Sequence, residues 1–120
     1  METRDLLIIC IHGTYGRDDD LYGALLTANA ALAKGLNVTL FFIEEGVFAC
    51  KKNQNPMKIG LSNNLDELND FLELGGNLIV DNNSIDERGI KKEELIDGVE
   101  IVDIKKINGI IKNHNVSLTF

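Results

Sequence analysis

The sequence predicts an α/β fold in which strands and helices alternate along a five-stranded, mostly parallel sheet. Three observations lead there. Leu6 to Ile11 is an unbroken apolar run, as expected of a strand covered on both faces rather than one half-exposed to water. Later strand-like runs follow segments with helical spacing or a capping residue, the pattern of successive strand–helix–strand units. The 120 residues, 44% hydrophobic and 26% charged with one Pro, have the size and apolar content of one compact domain, 1–120.

The first strand ends at His12-Gly13-Thr14-Tyr15-Gly16-Arg17, a two-glycine loop, and Asp18-Asp19-Asp20 supplies helix caps that suit a positive N-terminal dipole. A helix to about Lys34 follows, with Leu21, Leu25, Ala28 and Leu32 at steps of four, three and four and Ala on other sides. Gly35 suits its C-terminal stop, and Asn37 to Ile43 is rich in β-branched and aromatic residues, hence a second strand. Val47 to Cys50 reads as a helical turn, and Lys51 to Pro56 as polar loop. Leu65, Leu68, Phe71, Leu72 and Leu74 are spaced for one buried helical face, capped by Ser62-Asn63-Asn64 and stopped at Gly75-Gly76. Asn77 to Val80 is the third strand. A loop with a short helix spans 81–89, another short helix Lys91 to Ile96, and a fourth strand Glu100 to Asp103. A helix over Lys105 to Asn113 and a fifth strand, Val116 to Phe120, complete the order.

Composition narrows the function classes. Nineteen acidic against 12 basic residues give a net charge of −7, the wrong sign for direct nucleic-acid binding. No apolar run approaches the roughly 18 residues of a membrane span, and the N-terminus opens into a strand with no leader ahead of it, so the expectation is a cytoplasmic protein without membrane contact. Two Cys without a CxxC suggest neither a disulfide scaffold nor a zinc site. The Asp18-Asp19-Asp20 run lacks the spaced ligands of a calcium loop, so no metal and no cofactor are expected.

Ligands in open α/β sheets bind beyond the carboxyl ends of the strands, which selects the loops after Ile11, Ile43 and Val80. The first offers His12, Gly13, Tyr15, Gly16 and Arg17. Its glycines would let backbone N–H groups approach an anion, but the spacing is neither a P-loop nor GxGxxG, and three Asp at the helix start oppose negative charge. His12 reads either as a ligand-orienting base or as a hydrogen-bonded loop residue, with no nucleophile spaced as its partner. His114, before the last strand, receives no role. Cys10, within the apolar first strand, reads as core. Cys50 follows the second strand and precedes Lys51 and Lys52, whose ammonium groups would favour a thiolate, while Val47 and Phe48 beside it would favour burial. The second loop also carries Glu44 and Gly46, and the third brings Asp81, Asn82, Asn83 and Ser84.

His12-Gly13-Thr14-Tyr15-Gly16, the Ala-rich helix 24–32, Phe41-Phe42-Ile43-Glu44-Glu45-Gly46-Val47-Phe48 and Glu87-Arg88-Gly89-Ile90 together resemble the DsrE/DsrF/DsrH family over nearly the whole chain. The "FFIEEGVF" stretch with its polar Pro56 loop is most similar to the DsrF and TusC branch. The resemblance implies a three-layer α/β/α sandwich, a cytoplasmic protein that assembles as a homo-oligomer (dimer, trimer or hexamer) or with a DsrE/TusD-like subunit, and a part in sulfur relay. In the DsrE and TusD branch, a Cys just after the third strand carries persulfide sulfur, about eight residues ahead of an Arg-Gly pair. That position is Asp81 here, and the second Cys of some relatives corresponds to Ser84. Neither residue can hold a persulfide, because the chemistry requires an attacking thiolate. The resemblance therefore implies a non-catalytic DsrF/TusC-like subunit. The alternative is a persulfide carrier or sulfurtransferase using Cys50, with His12, Tyr15 and Arg17 lining its pocket. A flavodoxin-like nucleotide binder is disfavoured by the poor phosphate loop.

Overall fold

A computed structural model describes residues 4–13, 20–60 and 64–120. The strands are β1 (Asp5–Cys10), β2 (Asn37–Phe42), β3 (Asn77–Asp81), β4 (Val99–Val102) and β5 (Val116–Thr119), and the helices are α1 (Asp20–Ala33), α2 (Asn64–Glu73), α3 (Asn82–Glu87) and α4 (Ile107–Lys112). The sheet order is β4-β3-β2-β1-β5, and every neighbouring pair is parallel. "Mostly parallel" thus sharpens to wholly parallel. One isolated antiparallel bridge, Lys51 to Leu95, lies outside the named strands.

Alternation along the strands divides the core in two. Leu6, Ile8 and Cys10 with Val38, Leu40 and Phe42 meet α1 and α2 on one face, where Leu21, Ala24, Leu25, Ala28, Leu68 and Phe71 are buried. Small alanines let α1 lie close to the sheet. Leu7, Phe41, Ile79 and Val102 form a smaller cluster on the other face, covered in part by Ile107 and Ile110 of α4. The helices therefore lie on both faces, but unequally. That explains why Ile9 is only partly buried although the run around it reads as a strand covered on both sides.

Some expected boundaries change. The helix expected over Lys91 to Ile96 is one 3-10 turn, Lys92–Glu94, because Leu95 and Ile96 turn back to pair with the segment after β2: the Ile96 N–H donates to the Cys50 carbonyl at 2.9 Å. The helix expected from Lys105 begins two residues later, after a 3-10 turn over Ile104–Lys106. Leu74, expected on the buried face of α2, lies past its last residue and is 55% exposed. The turn expected at Val47 to Cys50 is longer, a 3-10 helix over Glu44–Cys50. The caps expected at Asp18, Asp19, Ser62 and Asn63 fall outside the described residues.

Candidate functional site

The carboxyl ends of β1, β2 and β3 converge through close backbone contact. A Cβ on Gly46 would lie 2.1 Å from the Cys10 carbonyl oxygen, and one on Gly13 would lie 2.9 Å from the Glu45 carbonyl oxygen. Both glycines are needed because backbone occupies the space of a side chain. The 3-10 helix Glu44–Cys50 is thereby pressed onto the end of β1.

A polar network joins that helix to the loop after β3. Asp81 caps α3: its Oδ2 accepts from the Ser84 backbone N–H at 3.0 Å and from the Ser84 hydroxyl at 2.7 Å. The same hydroxyl oxygen accepts the Glu44 N–H at 2.9 Å. Glu44 has φ 52, in the left-handed region that a non-glycine residue adopts at a cost, and its bond to Ser84 helps hold it there. Arg88 closes the far side. Its Nη1 donates to the Ser84 carbonyl at 3.2 Å, its Nε and Nη2 donate to Glu45 Oε1 at 3.2 and 3.0 Å, and Nη2 reaches Glu44 Oε2 at 3.2 Å. Asp81 and Ser84 are 7% and 3% exposed, so this pair is interior, whereas the Glu44 and Glu45 carboxylates that meet Arg88 face water. The second Asp81 oxygen, Oδ1, is buried with no donor among the described residues.

The structure thus brings together Glu44, Asp81 and Ser84 from the sequence-derived loops, and adds Glu45 and Arg88. The signal for the added residues was present: an acidic pair ends the second strand, and an Arg follows the third at one helical turn from Ser84. Sequence spacing alone gave no reason to join residues forty or more positions apart. His12 sits apart from this network, its Nε2 3.8 Å from Asp20 Oδ2 at the start of α1. Gly13 is a packing glycine. Tyr15, Gly16 and Arg17 lie outside the described residues, and with them most of the candidate anion loop.

The thiolate reading of Cys50 is corrected. Cys50 is 0% and Cys10 1% exposed. Burial pushes the Cys50 thiol far up, with the nearby Cys10 adding to the effect, and burial pushes Cys10 up to about 12. Lys51 and Lys52 are next in the chain, yet Cys50 points into the core beside Val47 and Ala49, so the ammonium groups do not offset its loss of water. Among the described residues no group of three or more His, Cys, Asp and Glu is placed to hold a metal ion.

Fold and site together define a small, wholly parallel α/β protein whose carboxyl edge is closed by an Asp–Ser–Arg network and bears no accessible thiol among the described residues. A model of the DsrE/DsrF-like family matches residues 5–120, and the chain belongs to that family. It is 33% identical over 113 residues to "Uncharacterized protein MJ0989" of Methanocaldococcus jannaschii, covering 94% of this chain and 96% of that one. It is 32% identical over 112 residues to "Uncharacterized protein MK0008" of Methanopyrus kandleri, covering 92% and 90%. Among solved structures, the ychN protein from E. coli superposes with a TM-score of 0.84 at 24% identity, over 99% of this chain and all of that one. A second, MTH1491 from Methanobacterium thermoautotrophicum, gives 0.74 at 11% identity over the same shares. These two likenesses support the three-layer fold.

Proposed function

We propose that this protein is a sulfur-relay subunit of the DsrF/TusC kind, cytoplasmic and non-catalytic, which acts in an oligomer beside a subunit that carries the sulfur. Membership in the DsrE/DsrF-like family supports the sulfur-trafficking class. One observation supports the non-catalytic reading above the rest: the position that resembles the family's sulfur-bearing Cys is Asp81, whose Oδ2 is tied to Ser84. Persulfide transfer needs a thiolate that attacks the outer sulfur of a donor R–S–SH, forming protein–S–SH and releasing R–S⁻. A carboxylate committed to two hydrogen bonds cannot make that bond, and both thiols of this chain are buried.

The assembly reading is supported by α1. An amphipathic surface helix shows one apolar stripe, whereas α1 is apolar on its outer side as well, with Tyr22 37% and Leu26 48% exposed and Ala30 on the same line. Edge strand β5 adds Val116 at 47% and Leu118 at 39%. Such a surface is suited to burial against another subunit. No helix among the described residues is long and apolar enough to cross a membrane.

The test is incubation of the purified protein with a persulfide donor, read by intact mass, together with its mass by light scattering at micromolar concentration. The expected results are no sulfur adduct on the folded chain and an oligomer. An adduct that disappears in Cys50→Ser would establish the carrier alternative instead, and a monomer would overturn the assembly reading. The useful partner to seek is a small copurifying relative with Cys after its third strand.

A further inference from the structure

The thinly covered face of the sheet leaves a cavity of about 200 Å³ between β2, β3, β4 and α4. It has room for on the order of seven waters, or one small organic molecule. Its floor is apolar, made by Ile79, Val102 and Ile110. One wall is set by His114. The ring Nδ1 faces the Ile110 carbonyl, and Nε2 lies 2.9 Å from the Thr39 hydroxyl oxygen. His114 and Thr39 satisfy one another and act as wall. They leave the recognition to other groups.

Those groups are Glu100 and Lys106, of opposite charge, with the amides of Asn77 and Asn113. Glu100 and Lys106 line the same cavity, yet among the described residues neither forms an ion pair with the other or with any other group. The Asn77 and Asn113 side chains likewise carry no hydrogen bond there. An apolar lining that also carries charges of opposite sign, with no ion pair between them among the described residues, fits a molecule with an ammonium, a carboxylate and a short hydrocarbon body. We propose that this cavity is a binding site for a small aliphatic amino acid, its ammonium toward Glu100, its carboxylate toward Lys106, and its side chain on Ile79, Val102 and Ile110. The site is independent of the sulfur-relay reading: Val102 is the sheet neighbour of Asp81, but the cavity shares no residue with the network of Asp81, Ser84, Arg88, Glu44 and Glu45.

L-leucine is the probe, titrated up to about 10 mM into the isotope-labelled full-length protein and followed by amide chemical shifts. The expected result is saturable change centred on Val102 and Ile110. The analogues 4-methylpentanoate, which lacks the ammonium, and 3-methylbutylamine, which lacks the carboxylate, are expected to bind about tenfold more weakly or less. Glu100→Gln should lower affinity for leucine about tenfold while leaving 4-methylpentanoate unchanged, and Lys106→Met should do the converse, sparing the amine. Both positions are exposed, and spectral dispersion reports that each variant is folded. Absence of saturable change with leucine overturns the proposal. So does equal binding of leucine and its two analogues, or change confined to the loops around Asp81 and Ser84.

Discussion

Replacing Ser84 with Ala removes one oxygen that serves two partners at once. Its hydroxyl donates to the Asp81 carboxylate at 2.7 Å and accepts the Glu44 N–H at 2.9 Å, in a residue only 3% exposed. A hydrogen bond to a charged group contributes about 1.5–3 kcal/mol and one to a backbone amide about 1 kcal/mol, and water does not readily replace either at a buried site. The expected loss of stability is about 2–4 kcal/mol. For a chain of this length roughly 4 °C of Tm is lost per kcal/mol, so the midpoint should fall by roughly 8–16 °C. Thermal and urea unfolding followed by circular dichroism measure it. The double-mutant cycle with Asp81→Ala isolates the Ser84–Asp81 bond: the second substitution should cost about 1–2 kcal/mol less when the first is present. A Ser84→Ala midpoint within about 2 °C of the parent, or a coupling within about 0.3 kcal/mol of zero, would refute the network as the element that joins α3 to the end of β2.

Two further predictions follow from the same edge. Gly46→Ala puts a methyl 2.1 Å from the Cys10 carbonyl oxygen, which already accepts the Ile43 N–H at 3.1 Å, so it should cost about 3 kcal/mol or more or abolish soluble expression. Gly109→Ala, within α4 and with no atom near the added methyl, should by contrast stabilise by about 0.5–1 kcal/mol; urea midpoints compare the pair. For the thiols, the native protein should react with an aromatic disulfide reagent only as fast as it unfolds, whereas the denatured chain reacts at once. Both thiols are raised above their ordinary value of 9.0 in the folded state, Cys10 to about 12. Their contribution is therefore complete below pH 9, where folded and unfolded chains both hold the protons, and declines as pH rises from there toward 12 because the unfolded chain releases them first. Urea midpoints between pH 8 and pH 10.5 should fall, and Cys50→Ala should reduce that slope; an unchanged slope would count against buried protonated thiols.

The sequence carried the order of elements because each depended on local signals. The apolar run at Leu6, the Ala-rich α1 and glycines at the helix ends each specify an element within a few residues of themselves. It also put Asp81 and Ser84 close together, three apart at the end of the third strand, where they hydrogen-bond. What it did not carry was long-range. The strand order, with β5 beside β1 rather than β4, depends on which face the α4 segment covers. Glu44 and Arg88 meet across forty-four positions, and neither residue's neighbours indicate the other. Cys50 misled for the same reason: sequence adjacency to Lys51 and Lys52 gave a local charge argument, while the thiol's direction was decided by the packing of a 3-10 helix against β1.

On the proposed function, the network also bears on why the Asp81 position does not suit sulfur chemistry. A persulfide-bearing thiolate must stand free enough to be reached by a donor and then by an acceptor. At Asp81, one carboxylate oxygen caps α3 and takes the Ser84 hydroxyl, which in turn holds the strained Glu44 backbone that Arg88 clamps from outside. Each partner is positioned by the next, so a sulfur atom in place of the carboxylate, being a weaker acceptor, would leave the Ser84 donors less well satisfied and Glu44 less well held. Rigid closure and sulfur access are opposed demands on the same few atoms. On the proposed function, this chain meets the first demand and leaves the second to a neighbouring subunit.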